Sequence, residues 1–489
     1  MPDTRGLPKL RVSVLVLTES KNKPIGLHYG SDPRRLRASS QGLGKIVMLA
    51  RSPLGIIVAA SLAGLLFGFD IGVISGVTQS LRVVFALSPW GLGLAVSAAL
   101  WGTLTGALTL GKPGDRFGSR EVLQWVGALY VIAALGAALA WNLPVFLLFR
   151  FLTGVAVGGS TVLTPVYIAE GAAAERRGVG VGLFQINIVL GLLLAYVSNF
   201  CIDRMVPGAD AWRWKLAVTV APALFFLILL QGVPRSPRWL IGKGRLEEAR
   251  SALARLGASD PARMLEDIRA AAADQPAGQV TTLSWSSHRR PILLAVALGS
   301  FNQLSGVNAI LYYLGDIFAA AGFSNLSAGA QSMVIGLTNL LATVAAMSVI
   351  DRIGRRPLLL MGSVLTGLAL AGVAAIMAAD SGRALLLPLL VIFIAAFAAS
   401  QGAVIWVYLS EIFPTAVRAR GQSVGSASHW IMNAVIASLF PTVAGFSKAL
   451  PFGFFSAMMV LQLLFVWRCL PETKGLTLER IQGALGGPA

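Results

Sequence analysis

The chain has 489 residues, of which 55% are hydrophobic and 13% charged, with a mean hydropathy of +0.72. A soluble domain carries about 25% charged residues, so this chain cannot wet most of its surface, and a soluble enzyme or binding module is excluded. The net charge of +18 would fit nucleic acid, but most Lys and Arg lie in the N-terminal segment, the even-numbered connections between apolar runs and the C-terminal tail. That is the asymmetry of a membrane protein with both termini in the cytoplasm, and no nucleic-acid partner is expected.

Residues 1–50 are basic and punctuated by Pro and Gly, and read as a disordered extension. Apolar runs then predict helices near 54–77, 90–111, 121–140, 143–166, 178–201, 212–233, 291–313, 327–350, 357–378, 384–409, 421–443 and 448–470. Each spans a hydrocarbon core of about 30 Å at about 1.5 Å per residue. The expectation is an all-α, multi-pass protein of twelve transmembrane helices in lipid, at the plasma membrane and monomeric. Cys201 and Cys469 fall at opposite membrane faces, so no disulfide is expected.

Three patterns occur twice. GDRFGSR after the second run returns as IDRIGRR after the eighth, with Asp115 and Asp351 236 residues apart. YIAEGAAAERRG returns as YLSEIFPTAVRARG, with Glu170 and Glu411 241 apart, and PRSPRWL returns as PETKGLTLE 237 residues later. One offset recurring three times indicates a duplicated six-helix unit, the plan of many secondary carriers. The expected divisions are a half at 51–233, a cytoplasmic linker at 234–290, a second half at 291–470 and a tail at 471–489. Within the linker, Leu246, Leu253 and Leu256 recur at helical spacing beside charged neighbours, which predicts short surface helices.

The loop at 111–120 reads Gly-x-x-x-Asp-Arg-x-Gly-x-Arg. Asp115 is expected to accept from helix-terminal amides, and Arg116 and Arg120 to pair with Glu170 or Glu411. Asp351, Arg352, Arg355 and Arg356 repeat the pattern, and Glu170 with Arg177 and Glu411 with Arg418 share a spacing of seven. Such pairs, formed on one face only when that face is closed, would latch one of two global states. Asp70 in the first run and Arg150 in the fourth are charges within the membrane, where an unpaired charge costs at least several kcal/mol. Each therefore needs the other.

In order, GFDIGVISG, GDRFGSR, PVYIAE, RSPRWL, NQLSGVNAILYY, DRIGRR, WVYLSEIFPTAVRARG and PETKG make the chain resemble the sugar porter family of the major facilitator superfamily from about residue 55 to 480. The resemblance implies proton-coupled transport, because proton-coupled members carry an Asp and an Arg at the positions of Asp70 and Arg150, whereas facilitative animal glucose carriers have Asn for the Asp. Asp70 is then the proton site: ionised it is held by Arg150, protonated it releases the arginine. A neutral, hydroxyl-rich solute needs uncharged donors and acceptors and flat apolar faces. By motif position the resemblance offers Gln185, Gln303, Asn308, Asn339 and Asn433 with Phe67, Tyr312, Trp406 and Trp430, and places His429 beside them. On a regular helix Gln303 and Asn308 point about 140° apart, so both face one chamber only if the helix breaks near Ser305 and Gly306.

The chain departs from the family at Ser119, Gly171, Ala173 and Arg235 on the loop-rich face, and at Asn302, Ala398, Gln401 and His429 near the chamber. Those changes withhold the identity of the sugar. A facilitative uniporter, in which the Asp70–Arg150 pair is structural, and a non-transporting sugar sensor share most of these residues, but a sensor needs a long cytoplasmic signalling tail and only about 19 residues follow Leu470. No nucleotide loop, metal cluster or nucleophile and base stand out, so no enzyme, metal or cofactor is expected.

Overall fold

In a computed structural model the described residues are 52–171, 174–273, 283–414 and 417–474. The readings placed on residues 1–50 and on the tail beyond 474 fall outside them, as do the side chains of Arg177 and Asp351. Among the described residues twelve helices are long and apolar enough to cross a membrane: Pro53–Ser75, Pro89–Thr109, Ser119–Ala138, Leu143–Ile168, Gly182–Met205, Ala211–Gly232, Trp285–Tyr312, Ser327–Ile350, Arg355–Ala379, Arg383–Glu411, Arg420–Phe446 and Leu450–Cys469. They are numbered here as spans one to twelve. Their ends follow local chemistry. Ser52 and Ser88 each accept a backbone N–H three residues on, at 3.1 Å, with Pro53 and Pro89 in the first turn where no N–H is needed. The seventh span starts six residues before the expected 291, since Pro291 sits near the helix start and the preceding turn joins it across a kink at His288.

Small residues let the helices approach closely. A methyl group on Gly68 would lie 1.7 Å from the Ile188 carbonyl oxygen, so the first and fifth spans meet backbone to backbone. The linker forms helices Pro237–Gly242, Leu246–Arg255 and Pro261–Ala273. Leu240, Ala249 and Ala252 bury together beneath Trp239 and Leu265. The linker is fixed to the first half: the Trp239 Nε1 donates to the Asp115 carbonyl at 3.2 Å, and Arg255 donates to the Gly232 carbonyl.

The linker marks one face of the protein. Between described residues, the hydrogen bonds and ion pairs bridging the halves lie toward the other face. Gln79 Nε2 donates to the Gly315 carbonyl at 3.4 Å, and the Tyr196 hydroxyl to the Leu311 carbonyl at 3.1 Å. Arg82 stands 3.8 Å from Asp316, and the Ser438 hydroxyl donates to that of Ser97 at 2.7 Å. The halves are therefore closed on the face away from the linker.

Candidate solute chamber and charge pair

Asp70 and Arg150 meet inside the first half. Arg150 donates through Nη1 to Asp70 Oδ1 and through Nη2 to Oδ2, the latter at 3.1 Å. The residues are 8% and 3% exposed, and the fork geometry satisfies both carboxylate oxygens while Asp70 is ionised. Arg150 Nε is buried without a partner. Protonation of Asp70 would remove the charge that holds the guanidinium, and a buried ion pair broken on one side is costly.

The seventh span is interrupted where the geometry requires it. Its first helix ends at Leu304, Gly306 takes φ +79°, and a new helix runs Val307–Tyr312. A Cβ on Gly306 would also lie 2.2 Å from the Phe455 ring, so only glycine fits the bend. The break turns Asn308 back onto Gln303, whose Oε1 accepts from Asn308 Nδ2 at 3.0 Å. Gln303 Nε2 donates to Asn302 Oδ1 at 3.0 Å and lies 3.3 and 3.2 Å from the two ring nitrogens of His429. Rings continue the surface: His429 lies between Trp406 and Trp430, each with centroid 5.2 Å away, and Phe67 of the first half reaches Trp430 at 5.5 Å. Asn433 Nδ2 donates to the Tyr312 hydroxyl at 3.3 Å.

These contacts join Phe67, Gln303, Asn308, Trp406, His429 and Trp430 in one network, with Tyr312 and Asn433 as a neighbouring pair. Asn339 instead accepts from Thr343 on its own span at 3.5 Å, and half-buried Gln185 makes no hydrogen bond to a described residue of the network. Sequence reading overlooked Gln462. It accepts from Gln401 Nε2 at 3.2 Å, and Asn302 donates to the Gln401 carbonyl at 3.3 Å, which extends the amide chain to the twelfth span. Its signal was a lone amide in an apolar run, and a turn of π-helix at Ala398–Gly402 is what brings Gln401 to it. Buried Lys215, held by Asp203 at 2.6 Å and the Gly76 carbonyl at 2.7 Å, also escaped notice.

On the linker face the expected latch has other partners. Asp115 and Arg116 are exposed, and the guanidinium of Arg116 lies over Phe117. Arg120 donates to the Leu230 carbonyl at 3.3 Å and to Glu121 at 3.4 Å. Among the described residues neither arginine pairs with Glu170 or Glu411; the pairs expected across the halves belong to the state in which this face is closed. Burial pushes the Glu170 carboxyl up from its ordinary value, against the pull of Ser236, Arg238 and Ser119. In the second half Glu411 accepts from Arg355 at 2.9 Å and from the Thr473 hydroxyl at 2.6 Å. Arg418 Nε lies 3.5 Å from the Phe413 carbonyl, and Lys474 donates to the Arg352 carbonyl. Glu472 accepts the backbone N–H groups of Arg355 and Arg356 at 3.1 and 2.9 Å, capping the ninth span.

The repeat at Arg235 has reversed polarity. Where the second half uses Glu472, the first half places Arg235, and its Nε donates to Glu121 in the first turn of the third span at 2.5 Å. In the first half the acid thus sits on the helix and the base on the segment after the sixth span, and the two still make a contact between these elements.

Twelve spans in two halves, a seam shut on one face, a broken seventh helix and an enclosed acid with its guanidinium define a secondary carrier that works by alternating access. The chain belongs to the sugar (and other) transporter family, the sugar porters of the major facilitator superfamily, whose profile matches residues 56–485. It is 33% identical to the D-xylose-proton symporter of Escherichia coli (strain K12), over 87% of this chain and 94% of that one. Against the arabinose-proton symporter of Bacillus subtilis (strain 168) it is 31% identical over 94% and 99%. The fold superposes on the inward-open xylose transporter of E. coli with TM-score 0.79 and 32% identity, covering 88% of this chain and 99% of that one.

Proposed function

We propose that this carrier imports a monosaccharide or a related polyol together with a proton. The linker face, which bears the basic loops, is then the cytoplasmic face of the plasma membrane, and the structure is closed to the outside. The observation that carries the reading is the enclosed Asp70–Arg150 pair on the same helix as a chamber residue: Phe67 precedes Asp70 by three positions, on one helix face, and touches Trp430 across the halves. Protonation at Asp70 and occupation of the chamber therefore act on the same helix. One proton moving down about 100 mV and one pH unit supplies roughly 3.7 kcal/mol, enough for a several-hundred-fold gradient of a neutral solute.

The chamber's amides suit hydroxyls, and Trp406, His429 and Trp430 offer flat faces to a sugar ring. The test is uptake into proteoliposomes of labelled hexoses, pentoses and polyols, with and without an imposed pH gradient. One solute should accumulate only with the gradient, and Asp70→Asn should exchange it without accumulating it. Uptake that a protonophore leaves untouched and that equilibrates the solute without ever concentrating it would leave a uniporter, with the charge pair purely structural.

A further inference from the structure

A second carboxyl group lies on the outer seam. Asp316 opens the helix Leu314–Ala320, just after the seventh span, and faces the short helix Thr78–Val84 of the first half. Only 18% of its side chain is exposed, and its Oδ2 is sealed from solvent with no partner. Arg82 stands 3.8 Å from Oδ1, too far for a close pair and itself half exposed, with the Thr78 hydroxyl alongside. The neighbouring Gly315 carbonyl accepts from Gln79. Asp316 therefore faces the other half of the molecule across the seam, and separating the halves on this face removes part of what covers it.

We infer that Asp316 is a second proton-binding site, which takes a proton from the outer solution as that face closes and gives it back as the face opens. It goes beyond the coupling assigned to Asp70, because Asp316 exchanges protons with one side only and sets how readily the outer face closes. The physical ground is the orphaned oxygen. A buried carboxylate with an unpartnered oxygen favours its neutral form, whereas the same group in water ionises normally. Burial accordingly raises the Asp316 carboxyl above its ordinary value, against Thr78 and Arg82, which pull it down.

The charged and titratable groups facing it are few. Arg82 comes from the first half and Tyr313 precedes its own helix, while Lys448 donates to the Ala320 carbonyl at the helix's far end. Across the adjoining polar cavity, of about 90 Å³ and lined by Gly315, Asp203 and Lys215 form a closed pair of their own. None is a second acid in contact with Asp316. The sign follows: the closed state has the raised carboxyl, so its advantage is complete below the ordinary carboxylate range and fades as the outer pH climbs through the raised value.

The experiment needs no identified solute. Spin labels are placed at Val83→Cys and Phe446→Cys, which are 80% and 83% exposed on opposite halves, in full-length protein carrying Cys201→Ser, Cys469→Ser and Asp70→Asn, reconstituted in nanodiscs. Inter-label distances are then measured from about pH 4 to pH 8, the interval above the unperturbed Asp value. The long-distance population should rise with pH, by at most about tenfold in the open-to-closed ratio per pH unit. In Asp316→Asn it should stay small and pH-independent, and Arg82→Gln should move the midpoint to higher pH. A distance distribution independent of pH in the parent, or a pH dependence that survives Asp316→Asn, overturns the assignment. Because Asp70 is already neutralised, neither result bears on the proposed symport.

Discussion

Asp70 and Arg150 can be separated experimentally into structural and functional partners. With its charge intact and Asp70 gone, Arg150 remains at 3% exposure with nothing to neutralise it, so Asp70→Leu should cost about 3–5 kcal/mol of stability. Removing both charges is a different case, since a buried ion pair replaced by apolar side chains of similar size is often neutral. Asp70→Leu with Arg150→Met should therefore recover most of the lost thermal stability in detergent while remaining unable to accumulate solute. If the double variant melts as low as the single one, the pair does more than compensate itself. Asp70→Asn should melt between Asp70→Leu and the parent, because its amide oxygen can still accept from the guanidinium but leaves the buried positive charge unbalanced.

At the scale of elements, most helices were legible because length and apolarity decide a membrane span, and the break at Gly306 was legible because Gln303 and Asn308 cannot share a face without it. The π turn at Ala398–Gly402 was not, since nothing in AASQG distinguishes it from ordinary helix. The pairs expected of Arg116 and Arg120 belong to the state in which the linker face is closed, whereas this structure is shut on the opposite face, and a sequence encodes both states. Helix ends at the linker face carry their own prediction. Burial pushes Glu472 up, but the N–H groups of Lys474, Arg355, Arg356 and Thr473 outweigh it and hold the carboxyl below its ordinary range. A depressed carboxyl stabilises above its unfolded value, and loses that contribution as pH falls through the folded one. The melting-temperature gap between parent and Glu472→Gln should thus be full at neutral pH and close as pH drops below the carboxylate range; a gap constant with pH would remove the capping role.

For the whole molecule, closure depends on how near the halves can come at their flanks. Gly93 in the second span faces the Ser438 carbonyl of the eleventh, where a Cβ would lie 1.9 Å from that oxygen, and one turn further Ser97 receives the Ser438 hydroxyl. Backbone cannot yield as a flexible side chain does, so a side chain at Gly93 must push the two spans apart. A wedge at this flank acts on the same seam that Gln79, Arg82 and Tyr196 bridge. Gly93→Leu should therefore disfavour the outer-closed state while leaving each half folded. A bias of roughly 1.4 kcal/mol already shifts the two populations tenfold, so uptake should fall by at least about that factor. The distance between labels at Val83→Cys and Phe446→Cys should lengthen, and melting should change far less than transport. Unchanged uptake with an unchanged distance would mean that the second and eleventh spans do not set the closed position, and that the seam is governed by the seventh span alone.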